Sequence, residues 1–198
     1  MKIWFTSDPH YYHANVIKYC DRPYGSVEHM NESLIANWNA VVAPEDTVYC
    51  LGDFSFAPRP VELFSQRLNG TKYLVPGNHD PIHPYNKHFK RAVKNGTLGD
   101  LKQVYRLNGW NLMSEIGETL DLPEVGLVNL NHLPYNNDDT RYVNYLPVDD
   151  GKWLICGHVH QHWKVKDRMI NVGVDVWNYA PVGLDEIVKI IKAAGNGS

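Results

Sequence analysis

Aspartate, asparagine and histidine recur in short turns marked by Gly or Pro: Asp8 with His10, Asp53 after Gly52, Asn78 with His79 after Gly77, His132 after Asn131, and His158 with His160 after Gly157. Each turn follows a compact apolar run. Carboxylate and carboxamide oxygens mixed with imidazoles, without thiolate, suit Mn, Fe or Zn in a reactive site better than a structural zinc site. Enough ligands are present for two ions. Two cations roughly 3.5–4 Å apart can share a hydroxide whose pKa they lower, and can clamp phosphoryl oxygens during in-line attack, so no side-chain nucleophile is needed.

Groups from five distant turns can meet only if the elements before them end at one place. Lys2 to Ser7 reads as a strand halted at Asp8-Pro9-His10, since proline cannot continue a ladder. Met30, Leu34, Ile35 and Trp38 at helical spacing after Ser26 predict a helix over 26–39. Thr47 to Leu51 reads as a strand ending at Gly52-Asp53. Val61 to Leu68 reads as a helix closed by Gly70, and Lys72 to Val75 as a strand ending at Pro76-Gly77. The second half is richer in strands, at Gly126 to Leu130, Trp153 to Cys156 and Met169 to Val174, and Asp185 to Ala194 closes the chain as an amphipathic helix. Alternating units followed by β-rich ones imply two sheets layered with helices.

With 198 residues the chain can bury roughly 70% of its unfolded surface and is expected to form one domain over 1–198. A net charge of −3 argues against a dedicated binder of duplex nucleic acid, which needs a basic surface. Cys20, Cys50 and Cys156 are odd in number and lack C-x-x-C spacing, so neither a disulfide framework nor a zinc knuckle is indicated. The first residues lack a signal-peptide pattern and no apolar run reaches about 18 residues, so a cytoplasmic protein without membrane partners is expected.

Taken in order, D-x-H at Asp8-Pro9-His10, G-D at Gly52-Asp53, G-N-H-D at Gly77 to Asp80, an isolated His132 and G-H-x-H at Gly157 to His160 resemble the calcineurin-like metallophosphoesterases. The subgroup resembled is the small, cap-free bacterial and phage type. The resemblance implies a four-layer αββα double β-sandwich with flanking helices. It implies that Asp8, His10 and His160 bind one metal, that Asn78, His132 and His158 bind another, and that Asp53 bridges them. His79 resembles the family's non-ligand histidine, placed to meet a phosphate oxygen or protonate the leaving group, with Asp80 orienting its ring. Two divalent cations follow, Mn first, with Fe, Zn, Ni or Mg as alternatives.

The function implied is hydrolysis of a phosphodiester, nucleotide-like, by a metal-bound hydroxide. A phosphomonoesterase, a nuclease or an inactive metal-binding scaffold of the same fold are the alternatives. The expected partner is a small phosphorylated substrate. The subgroup's first motif extends to His13 and Asn15, which makes His13 a candidate phosphate contact. Arg141, with Arg22 as its rival, is a candidate for a second contact, because a guanidinium fork matches phosphate. His29, His83, His88 and His162 read as structural or surface groups. The basic run 86–94 could track a polyanion, but reads first as a solvated helix face. Loops 81–97 and 133–151 are left to set specificity.

Overall fold

A computed structural model describes residues 1–136 and 139–195. In chain order the elements are β1 (Ile3–Thr6), α1 (Ala14–Tyr19), α2 (Val27–Val41), β2 (Thr47–Cys50), α3 (Pro58–Phe64), β3 (Thr71–Leu74), α4 (Lys87–Asn95), α5 (Leu98–Leu107) and β4 (Trp110–Leu112). They continue with β5 (Glu118–Leu122), β6 (Gly126–Leu130), β7 (Trp153–Cys156), β8 (Val165–Lys166), β9 (Met169–Asn171), β10 (Val182–Gly183) and α6 (Leu184–Gly195). The result is a mixed α/β fold of two five-stranded sheets with flanking helices, the sheets ordered β10-β1-β2-β3-β4 and β5-β6-β7-β9-β8.

Side chains alternate across a strand, and that alternation builds the layers. From β1 to β3, Val48, Cys50 and Leu74 face the helices, packing on Met30, Leu34, Trp38 and Phe64. Their neighbours Phe5, Leu51 and Val75 face the other way, where Val128, Leu130, Ile155 and Ile170 of the second sheet meet them. β1 to β4 run parallel, as do β6, β7 and β9, while the antiparallel strands β10, β5 and β8 lie at sheet edges. The carboxyl ends of the parallel strands therefore point toward one crevice, the usual place for function in such sheets.

Helix α2 forms as its spacing requires: Ser26 Oγ accepts from the His29 N–H at 3.1 Å, and Met30, Leu34, Ile35 and Trp38 are buried. Two of the expected elements end differently, and α1, α5, β4, β5, β8 and β10 are additional to those expected. The helix expected over 61–68 starts at Pro58 with proline in its first turn and tightens to a 3₁₀ turn at Ser65–Arg67, so Gly70 bends the chain into β3 instead of capping. The strand expected to reach Val174 stops at Asn171, whose Oδ1 accepts from the Gly173 N–H at 2.8 Å and turns the chain. No helix among the described residues is long and apolar enough to cross a membrane.

Candidate metal centre

The turn after β1 is zipped to the turn after β2. Asp8 N–H donates to Gly52 O at 3.0 Å, His10 N–H to Asp53 O at 3.1 Å and Tyr11 N–H to Phe54 O at 2.9 Å. Asp8, His10, Asp53, His158 and His160 all hold positive φ, from 48° to 71°. Such a conformation costs a residue with a Cβ about 1–3 kcal/mol and persists only where its surroundings enforce it. The motif glycines permit that crowding. A Cβ on Gly77 would collide with the backbone and carboxylate of Asp53, and one on Gly157 with Ser7 Oγ and the Asp8 carboxylate. Asp8 Oδ2 also accepts from the His158 N–H at 2.9 Å, so a carboxylate of the first sheet pins a turn of the second.

The turns bring the motif side chains together. Ligand atoms of Asp8, His10 and His160 lie within 4.8 Å of one another, as do those of Asp8, Asp53 and His132. His10 Nε2 is 3.6 Å from Asp53 Oδ2 and 3.9 Å from Asp8 Oδ1, and His132 Nε2 is 3.4 Å from Asp53 Oδ2. The first two separations are too long for hydrogen bonds. All three are of the size expected between ligands that each stand ~2.1 Å from one ion. Asp8 Oδ1 and both ring nitrogens of His10 are buried and without a hydrogen-bond partner among the described residues. Buried polar atoms are normally paired, and hard oxygen and imidazole donors left open toward one another fit divalent cations.

Each imidazole is aimed by a neighbour. His132 Nδ1 stands 2.7 Å from Leu51 O, so that nitrogen is the donor and Nε2 turns toward Asp53 and Asn78 Oδ1, the latter at 3.0 Å. His160 Nδ1 stands 2.8 Å from Asp175 Oδ2, which leaves its Nε2 facing Asp8. A carboxylate or carbonyl behind a metal-binding histidine fixes tautomer and orientation. Asn78 Nδ2 donates to the Tyr142 hydroxyl at 3.2 Å, and the Tyr142 ring packs edge-on to His158.

Electrostatics divide the groups. Burial raises Asp8. Burial would also raise Asp53, yet the neighbouring His132 and other imidazoles hold it well below the usual carboxylate range. Burial disfavours charge on His132 and His160, but Asp53 lifts the first to about 9 and Asp175 the second to about 11. Burial, then the charge of His132, lowers His158 to about 3.

Arg22, a candidate phosphate contact, and Asp80, expected to orient the His79 ring, both serve the scaffold. Arg22 is 4% exposed and committed: Nε and Nη2 clasp Asp175 at 2.7 and 2.9 Å, while Nη1 and Nη2 donate to Pro9 O and Asp8 O at 2.9 and 2.8 Å. It braces the first turn and has no fork left for phosphate. Asp80 does not reach the His79 ring; its oxygens accept from Gly77 N–H at 2.8 Å and Ser55 N–H at 3.2 Å, tying two motif turns together. Burial and the nearby Asp53 raise its carboxyl to about 7.

His79 instead packs on Phe56, ring centroids 4.2 Å apart, and its N–H donates to Asp53 Oδ1 at 2.8 Å. His13 also packs on Phe56, at 4.2 Å, and joins His10, His79 and His160 around a cavity of about 410 Å³. A second cavity, of about 460 Å³, opens from Asn78 and His79 toward α4. Arg141 is exposed, paired with Asp139 and 5.4 Å from the Tyr142 ring, and lines neither cavity. His83 and Tyr11 are core residues. The supports Asp175, Phe56 and Leu51 O carry no motif signal; only the acceptors behind His160 and His132 and the ring against His79, visible after folding, identify them.

Comparison with known proteins agrees with this geometry. Residues 1–162 match the family model of the calcineurin-like phosphoesterases. An uncharacterised protein of Methanocaldococcus jannaschii is 36% identical, the match covering 96% of this chain and 92% of that one. The Gene 66 protein of Mycobacterium phage L5 is 32% identical, over 96% of this chain and 93% of its own. The crystal structure of a protein of unknown function from Aquifex aeolicus superposes with a TM-score of 0.67 at 23% identity, covering 96% of this chain and 99% of that chain.

Proposed function

This chain belongs to the calcineurin-like phosphoesterases and is a metal-dependent phosphoric ester hydrolase, and from that premise we propose that it hydrolyses phosphodiesters, nucleotide-like ones among them, at a centre of two divalent cations, manganese first. The observation that carries this reading is Asp53: one carboxylate oxygen faces His10 on one side and His132 on the other, at 3.6 and 3.4 Å. Asp8, His10 and His160 would hold one ion and Asn78, His132 and His158 the other, with Asp53 between. When bound, such a pair supplies Lewis acidity that activates water and neutralises phosphoryl charge.

The chain's own groups do the rest. The His79 N–H keeps Asp53 turned inward. The His79 ring, fixed on Phe56 and exposed to both cavities, is the group in reach of a leaving-group oxygen and would donate its proton there. His13 lines the same space, and burial lowers its pKa, which favours a neutral ring that contacts substrate as a hydrogen-bond donor or acceptor.

Metal analysis and two chromogenic esters test the reading. We expect two equivalents of Mn²⁺ and faster turnover of bis(4-nitrophenyl) phosphate than of 4-nitrophenyl phosphate. Asp53→Asn should lose metal at both positions, whereas His79→Gln should keep the metal and lose about 10²–10⁴ in kcat. A single equivalent at saturation rejects the paired centre, and a monoester preference rejects the diesterase assignment.

A further inference from the structure

Helix α4 brings a stripe of uncompensated positive charge to the centre. Lys87, Lys90, Arg91 and Lys94 recur at i, i+3, i+4 and i+7 and so share one helix face. The helix contains no acidic residue, and none of the four makes an ion pair among the described residues. The rest of the chain is net acidic; Arg67, Lys102, Arg141, Lys152, Arg168, Lys189 and Lys192 have carboxylate partners, and the other cations without one among the described residues, such as Lys18, Arg59 and Arg106, do not line up on one helix face as these four do. An ordinary solvated helix face mixes signs; this one does not.

The stripe is also anchored to the reaction site. Asn86 Oδ1 accepts from the His88 N–H at 2.9 Å to start the helix, while Asn86 Nδ2 donates to the carbonyl of His79 at 2.7 Å. The helix thus begins at a fixed distance from the residue assigned as proton donor. Between them lies the cavity of about 460 Å³, with Asn78 and His79 on one wall and Lys87, His88 and Lys90 on the other. Tyr85 lines it too, its ring 5.2 Å from the Lys90 ammonium. Beyond Lys90, Arg91 and Lys94 continue the same face, so the stripe runs ~10 Å along the helix axis.

We propose that this stripe is a subsite for further phosphates of the substrate, so that the scissile linkage is one of a run of phosphates, a diester in a single-stranded oligonucleotide or an anhydride in a dinucleoside polyphosphate. This rests on the diesterase reading and names its substrate class. Electrostatic contacts track a phosphate chain without reading sequence, and an aromatic ring beside them accepts a base of any kind.

The test compares kcat/KM of the Mn²⁺-loaded protein on thymidylyl thymidine, on oligothymidylates of four and eight residues, and on diadenosine tetraphosphate. The comparison is repeated for Lys90→Glu/Lys94→Glu, two exposed positions whose exchange leaves the core intact. In the unsubstituted protein the longer phosphate chains should react about tenfold faster than the single diester, with an advantage that falls as salt rises. The charge-reversed variant should bring that ratio toward 1. Gain on the oligothymidylates or on the polyphosphate identifies which source the stripe serves. Anisotropy of a labelled oligothymidylate, read on His79→Gln with and without the two reversals, keeps the question answerable if turnover is absent altogether. Rates independent of phosphate number, or a ratio and an affinity unmoved by charge reversal, overturn the subsite. Inactivity toward every diester with intact, stripe-dependent oligothymidylate binding overturns the diesterase reading alone.

Discussion

Replacing Arg22 by Met should cost about 3–5 kcal/mol of folding stability. The magnitude follows from what the guanidinium holds. Its side chain and that of Asp175 are 0% and 1% exposed, so neither charge is relieved by water. Met fills much of the volume but leaves Asp175 ionised against His160 alone, and strips charged donors from the carbonyls of Asp8 and Pro9. Much of the expected cost is a buried carboxylate left with His160 as its one charged partner, and not the lost bond itself. A double-mutant cycle separates the two. Asp175→Asn removes the charge while its amide oxygen can still accept from His160 Nδ1, so Arg22→Met/Asp175→Asn should be more stable than Arg22→Met, with a coupling of about 2 kcal/mol. Urea midpoints at constant m-value measure all four corners. Metal affinity should fall roughly 10–100-fold in Arg22→Met, because the braces of Asp8 and His160 loosen together. Additive stability losses, or a single-variant cost below about 1 kcal/mol, would refute the claim that one guanidinium carries both turns.

Two further perturbations probe the scaffold around the centre. Gly157→Ala places a Cβ against Ser7 Oγ and Asp8, so it should destabilise by at least about 1–3 kcal/mol and weaken metal binding more than Gly25→Ala, a position with open space; equal calorimetric and metal-affinity effects at the two glycines would reject it. His83 is 2% exposed and accepts from the Tyr85 N–H at 3.1 Å. Burial lowers its pKa from 6.5 to about 4, so the unfolded chain binds the proton more readily between those values. The stability it contributes is complete above about pH 6.5 and lost as pH falls toward 4, roughly 3 kcal/mol in all. His83→Asn, which keeps an acceptor for Tyr85, should flatten the stability profile between pH 4 and 6.5. Parallel profiles for the two proteins would show that His83 does not titrate as a buried group.

The layering and the strand ends were readable because period-2 and period-3.6 patterns report burial, and because Gly, Pro and Asp-rich turns stop strands. Sequence therefore announces which side chains stand at the crevice. It is silent on what stands behind them. Asp175 follows a strand end no differently from a surface aspartate, and Arg22 reads as readily as a phosphate ligand as a brace. Only the long-range contact between residues 22 and 175 decides, and separation along the chain carries no local signal. Asp80 failed for the opposite reason: adjacency to His79 suggested a partner, but the turn directs its carboxylate at the N–H groups of Gly77 and Ser55.

The strained turns explain why so many supports are needed. Five of the motif residues in the pocket sit at positive φ, and at ~1–3 kcal/mol each the strain is comparable with the net stability of a domain. What holds them is a set of hydrogen bonds that cross between turns: Asp8 and His10 to the backbone of Gly52 and Asp53, His158 N–H to Asp8, and Gly157 N–H to His132 O at 3.0 Å. Each turn is thus fixed by another turn and not by its own strand. Relaxing one releases its neighbour's restraint, so damage to the Asp8 turn should reach His158 on the other sheet. A centre built in this way keeps its donors converged against their mutual repulsion before any cation arrives, and the rigidity of two packed sheets is what makes that arrangement affordable.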